Sequence, residues 1–332
     1  MARLSEQDLI SKYFAPLAGP GGLGLLDDAA LLAPPPGTEL VLTADALVAG
    51  VHFFPEDPPE KIAEKALAVN LSDLAAKGAD PLGFLLTLAL PSDWTPDWLA
   101  AFSRGLGEMA TLSNCPLLGG DTVATPGPLT LSITALGSVP AGKLVRRTTA
   151  RPGDALYVSG TIGDAALGLA LRKSQLMGKQ KPGWAQNLSH ERCEALVDRY
   201  LSPRPRKTLI SALRACASAA MDVSDGLIGD LRAMMRVSGA TAQVDLRQIP
   251  LSAAASAAFH ADPELLDRIL CGGDDYEILC AVPMEAAARF EALAQGVTLS
   301  RIGAVAGPEA KEIFIGFNGQ PRAFERDRFS HF

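Results

Sequence analysis

The sequence predicts an α/β (α+β) protein of two domains that meet near residue 146. Its 332 residues are enough for two domains with sizeable cores. Strand-like apolar runs alternate with segments of helical spacing along most of the chain. A basic stretch broken by Pro and Gly, RRTTARPG at 146–153, interrupts that alternation. The expected domains are therefore 1–145 and 146–332.

In the first part, 39–45 (ELVLTAD) reads as a strand with Leu40 and Leu42 on one face and Val41, Thr43 and Asp45 on the other. Residues 59–78 read as a helix. Ile62, Ala63, Ala66, Leu67, Leu74 and Ala75 lie near one stripe, and Asn70, Asp73 and Lys77 share another. A strand over 83–90, a helix over 98–112 and a strand over 129–138 follow. Past the boundary come a strand at 154–159, a glycine turn (GTIGD) and an Ala/Leu helix. The stretch 172–190 is polar without period and reads as a mobile insert. A helix at 206–218, a strand at 219–223, a helix at 226–237, a strand at 276–282 and a helix from Met284 complete the pattern. GDAALGL at 163–169 weakly echoes LDDAALL at 26–32.

The totals exclude some classes. Thirty Lys and Arg against 37 Asp and Glu leave a net charge of -7, which argues against nucleic acid or an anionic membrane as partner. The five cysteines (Cys115, Cys193, Cys216, Cys271 and Cys280) are odd in number, widely spaced and form no C-x-x-C. They read as thiols in a reducing compartment, without a disulfide framework or zinc site. MARLSEQDLISKYF has no signal-type apolar core, and LGFLLTLAL at 82–90 falls short of the roughly 20 residues a membrane span needs. A cytoplasmic enzyme is the expectation.

The chemistry-bearing pattern is acidic residues flanked by Gly and Ser. They are Asp27-Asp28, Asp45, Asp73, Gly119-Gly120-Asp121, Asp222-x-Ser224-Asp225 with Asp230, and Gly272-Gly273-Asp274-Asp275-x-Glu277. Such oxygen donors suit hard divalent cations and the phosphates they carry. Each cluster also has a plain structural reading. Asp27-Asp28 after GPGGLG fits a turn with a helix cap, or a phosphate-facing loop. Gly119-Gly120 fits a turn, or a backbone that approaches a ligand closely with Asp121 at a strand end. Ser224 or Asp225 fits the N-cap of the next helix, which leaves Asp222 unexplained. CGGDDYE fits a solvated turn, except that an apolar strand follows at once. His52 in VAGVHFF fits a packed histidine or a ligand contact, and Arg147 a solvated residue or a phosphate clamp. There is no G-x-x-x-x-G-K-[ST], G-x-G-x-x-G, protein-kinase catalytic loop or G-x-S-x-G.

In this order the clusters resemble those of the thiamine-monophosphate kinase family. The strings that carry the resemblance are LLDDAALL, DALVAGVHF, KALAVNLSDLAAKGADP, LLGGDT, RPGDALYVSGTIGDAALGL, MDVSDGLIGDL, GGDDYEI and the final SHF. They run from about residue 24 to the end. The wider superfamily also holds aminoimidazole ribonucleotide synthetase, selenophosphate synthetase and a hydrogenase-maturation protein with a reactive C-terminal Cys, which this chain lacks. The resemblance implies a PurM-like fold, with an N-terminal mixed-sheet domain that binds ATP and Mg²⁺ and forms a homodimer, and a C-terminal α/β sandwich. It implies direct transfer of phosphate from ATP to thiamine phosphate, giving thiamine diphosphate, without a phosphoenzyme.

By motif position, Asp28, Thr43, Asp45, Asp73, Asp121, Asp222 and Asp225 resemble the family's metal ligands. Gly120, Asp121, Arg147 and Ser224 resemble its nucleotide contacts, and His52, Asp274 and Phe329 its substrate contacts. The chain departs from the family pattern at Ala44, where relatives often carry a hydroxyl, at Asp274 for a common Glu, at Phe329 for Tyr or Trp, and at Leu112 for an aromatic. The rival expectations are another ATP-using synthetase of the superfamily and a non-catalytic nucleotide-binding regulator.

Overall fold

The computed structural model describes residues 5–324. Phe329, one of the expected substrate contacts, lies outside the described residues. Two compact units form: residues up to Leu74 with Ala79–Lys143, and Ala75–Gly78 with Leu144 onward.

The first unit opens with a short helix α1 (Glu6–Leu9) capped by the Ser5 side chain, followed by tight helical turns to Leu25. Its sheet holds β1 (Thr38–Val48), β2 (Asp80–Leu90), β3 (Leu117–Ala124) and β4 (Thr130–Pro140) in the order β1-β4-β2-β3. The β1–β4 and β4–β2 pairs are antiparallel and β2–β3 is parallel. The strands alternate as a one-sided sheet should. Phe84, Leu86, Leu88, Leu131, Ile133 and Ala135 are buried, while Leu40, Leu42 and Leu85 are exposed on the other face. Helices α2 (Pro59–Ala76) and α3 (Pro96–Ser113) supply the opposing core through Ile62, Ala66, Leu67, Leu99, Phe102 and Leu106. At Gly105 the two helices come so close that a Cβ would strike the backbone of Glu60. Thr95 caps α3, and Asn114 ends it in a left-handed conformation.

The second unit has a six-stranded sheet ordered β10-β7-β9-β5-β8-β6, built from β5 (Ala155–Ser159), β6 (Ala219–Val223), β7 (Thr241–Asp245), β8 (Glu277–Val282), β9 (Leu299–Ala306) and β10 (Ile313–Ile315). The β10–β7 pair is parallel and the others are antiparallel. Strands β5, β6 and β8 are buried at every position, as expected of a sheet covered on both faces. Helices α4 (Asp164–Leu176), α5 (His190–Leu201), α6 (Ile210–Cys216), α7 (Leu227–Ser238), α8 (Ala253–Ala261), α9 (Leu266–Cys271) and α10 (Ala287–Leu293) complete this unit. Among the described residues no helix is long and apolar enough to cross a membrane.

Four expectations are corrected. Gly119-Gly120-Asp121 lies inside β3 instead of at a strand end: the two glycines pair with Leu85 and Leu86 of β2, and Asp121 with Thr87. The stretch 172–190 is not an insert. Helix α4 runs to Leu176, and Trp184, Ala185 and Leu188 are buried in the core, so the longest unbroken exposed run is 177–181. A single tight turn there has too few residues to show a period. The helix expected at 206–218 is a short turn at Lys207–Leu209 followed by α6. The N-cap of α7 is Gly226, in place of Ser224 or Asp225.

Candidate functional site

In the first unit the acidic residues fall into two groups. Strand alternation turns Thr43 and Asp45 to the helix-facing side of β1, where α2 presents Asp73. The Thr43 hydroxyl donates to Asp73 Oδ2 at 2.5 Å. Burial first, and then the charge of Asp73, push the Asp45 carboxyl from the ordinary 3.8 up to about 6. Two carboxylates and a hydroxyl are thus held together at a cost the protein does not relieve by itself. One turn before Asp73, buried Asn70 Oδ1 has no hydrogen-bond partner. An all-oxygen set with surplus negative charge fits a hard divalent cation.

The second group lines a cavity of about 680 Å³ that includes Asp27, Asp28, Thr87, Gly120, Asp121 and Leu118. The loop before Asp28 is tied to β3 by the Gly19 N–H, which donates to Leu117 O at 2.9 Å. Asp27 accepts from the Asp28 N–H at 2.8 Å, so it shapes the turn while Asp28 stays exposed. No helix follows for either to cap. Gly120 sits at φ 154°, and a side chain there would collide with Leu86 O across the ladder. Glycine is therefore what lets β3 pass so close to β2. Among the described residues no three His, Cys, Asp or Glu side chains are already gathered tightly enough to hold a metal.

His52 sits in the turn after β1. Its Nδ1 accepts the Val48 N–H at 3.0 Å, which assigns the ring proton to Nε2. Buried Lys65 donates to the His52 carbonyl at 3.2 Å.

In the second unit β6 carries Asp222, nearly buried, into the loop Ser224–Gly226. The N–H groups of Ser224 and Asp225 both donate to Asp230 Oδ2 at 3.0 Å, so the first turn of α7 reaches back to hold the loop. Burial outweighs those bonds and raises the Asp230 carboxyl to about 7. The segment 272–277 is stitched to this loop: Asp274 N–H donates to Ser224 O and Tyr276 N–H to Val223 O, each at 2.8 Å. Asp274 and Tyr276 have φ of 72° and 49°, conformations that cost a non-glycine residue roughly 1–2 kcal/mol each. Arg147 is exposed, and its carbonyl accepts from Ser238 Oγ.

Sequence reasoning missed Arg199, Arg206 and the buried role of Asp275 in the frame beneath this segment. Asp275 is fully buried, which raises its carboxyl well above the usual range, and it accepts from the N–H groups of Gly163 and Ala165 at the start of α4. Fully buried Glu277 accepts from Ser159 Oγ at 2.6 Å, from Arg206, and from Arg199 Nη2 at 2.9 Å. The sequence signal was Arg199 falling three residues after Leu196, on the buried stripe of α5.

Comparison with known proteins bears on both units. The AIR synthase related protein N-terminal domain matches residues 26–139, and the corresponding C-terminal domain matches 151–316. A thiamine-monophosphate kinase of Caulobacter vibrioides is 45% identical over 306 residues, covering 90% of this chain and 83% of that protein. The crystal structure of thiamine-monophosphate kinase from Stenotrophomonas maltophilia matches with a TM-score of 0.73 and 41% identity, over 85% of this chain and 87% of the other. A structure of AaThiL complexed with AMPPCP and TMP matches with a TM-score of 0.77 and 28% identity, over 100% and 99%.

Proposed function

The chain belongs to the thiamine-monophosphate kinase family, and we propose that its residues carry out the ATP-dependent phosphorylation of thiamine monophosphate by direct, in-line transfer. Both reactants are anionic, so alignment and charge neutralisation make up most of the catalytic task. The observation that carries this reading is the repelling Asp45–Asp73 pair, with the Thr43 hydroxyl donating to Asp73. Such a cluster is costly alone and useful once cations arrive. Asp28, Thr43, Asp45, Asp73 and Asp121 of the first unit, and Asp222 and Asp225 of the second, would hold Mg²⁺. Bound Mg²⁺ supplies neutralisation and orientation of the phosphates.

The chain's own groups would do the rest. Gly120 keeps the β3 backbone bare beside the cavity, where Asp121 would take part in nucleotide binding. Ser224 and Arg147 would bind nucleotide from the second unit. His52 would donate through Nε2–H to the acceptor, and Asp274 would contact the same molecule. Phe329 would stack on the thiamine rings. No side chain is required as a covalent carrier.

We also propose a cytoplasmic homodimer formed through the first unit, with no nucleic-acid or membrane partner. Leu42 is 61% exposed and Leu40 42% exposed on an edge strand. The register sets Ala44, Thr134 and Leu85 side by side on that face. An apolar sheet face of this kind is normally covered. Leu42→Asp is expected to weaken dimerisation at least ~10-fold, read by sedimentation velocity across a dilution series. A wild-type chain that sediments as a monomer at every concentration would remove the dimer.

The activity itself is tested by initial rates on thiamine phosphate and on an aminoimidazole precursor, each with ATP. Turnover of the first alone is expected. Turnover of the second alone would assign the chain to a synthetase, and nucleotide binding with neither turnover would make it a regulator.

A further inference from the structure

We propose that Arg199 is a positioning residue for the acceptor-binding edge of the second unit, because it locks the left-handed backbone at Asp274 and Tyr276 through buried Asp275 and Glu277. The inference rests on the reading of Asp274 as a contact of thiamine phosphate.

Two non-glycine residues with positive φ, separated by a single residue, form a backbone that persists only where its surroundings over-determine it. The restraints come from three directions. The N–H groups of Asp274 and Tyr276 are taken by carbonyls of the Val223–Ser224 stretch. The Asp275 carboxyl group is pinned by the N–H groups of Gly163 and Ala165. Arg199 closes the frame from α5: its Nη2 donates to the Asp275 carbonyl at 3.0 Å and to Glu277 Oε1 at 2.9 Å. One guanidinium nitrogen therefore sets the spacing between positions 275 and 277, with Tyr276 arched between them. Arg206, which bonds both carboxylate oxygens, and Ser159 also fix Glu277, so the anchor cannot drift with the segment. Lysine ends one bond short of the Nη2 position, on a flexible stem, and would not hold both acceptors in the same geometry. Arg199 is itself nearly buried and acts on the acceptor through the backbone of Asp274.

The test is Arg199→Lys, with kinetics in both substrates and amide exchange followed by mass spectrometry. The KM for thiamine phosphate is expected to rise about tenfold or more, because a small misplacement of a positioning group is costly, while the KM for ATP stays within about threefold. Peptides covering 272–277 are expected to exchange at least about tenfold faster, with first-unit peptides unchanged. A purely structural role would lower the melting temperature and leave both KM values alone, and that result overturns the proposal. Equal losses for both substrates overturn it as well. If Arg199→Lys does not fold, Glu277→Gln keeps the shape and weakens the same anchor, with the same pattern expected at smaller size. Wild-type protein without turnover of thiamine phosphate would sink the functional reading instead, and the exchange comparison would still decide whether Arg199 locks the segment.

Discussion

Asp45→Asn is expected to leave the protein folded and to lower kcat by on the order of 10²–10³-fold, because one carboxylate of the cluster that would hold Mg²⁺ loses its charge. The same substitution is expected to raise the stability of metal-free protein at neutral pH by about 1–2 kcal/mol, since the wild-type carboxylate is buried beside Asp73. The pH dependence has a definite sign. Folded Asp45 keeps its proton up to about pH 6, whereas the ordinary value is 3.8. The folded state therefore binds more protons in that window, and metal-free wild type loses stability as pH rises through it. Asn cannot titrate, so the variant should show a flatter profile between about pH 4 and 6. Thermal melts across that range, run beside steady-state kinetics at neutral pH, measure both effects. Wild-type rates in the variant would remove Asp45 from the metal site.

Glu277→Ala is expected to destabilise the second unit by about 3–5 kcal/mol, since truncating one partner of a buried ion pair leaves the others uncompensated. Arg199 would lose its carboxylate partner in a site where its side chain is 9% exposed, and Arg206 would lose a second contact at 21% exposure. Ser159 Oγ would lose its acceptor as well. Urea unfolding that follows the second unit measures this, and a loss below about 1 kcal/mol would mean the frame is not held by charge.

Much of the fold was legible because burial alternates cleanly. The two faces of β1 follow from TELVLTADALV, and the pairing of Thr43 with Asp45 on one face follows from the strand period. The helices expected at 59–78 and 98–112 form as Pro59–Ala76 and Pro96–Ser113. What stayed hidden was short or decided by tertiary contact. β10 has three residues and α9 has six, too few to show a period. Gly119-Gly120 reads locally as a turn, and only pairing with β2 keeps it extended. In the candidate site, the residue types were legible and their division of labour was not. Asp225 looks like a cap in the sequence, yet the loop is held by Asp230 from within α7. Arg199 looks like a surface charge and is buried, because its partner Glu277 is 78 positions away.

The most direct measurement is the appearance of thiamine diphosphate when purified protein is given ATP and thiamine phosphate over a Mg²⁺ titration. ADP and thiamine diphosphate should form one for one, rising with Mg²⁺ and vanishing in excess chelator. ADP released without thiamine diphosphate, or equal turnover in chelator, would contradict a metal-assisted direct transfer to thiamine phosphate.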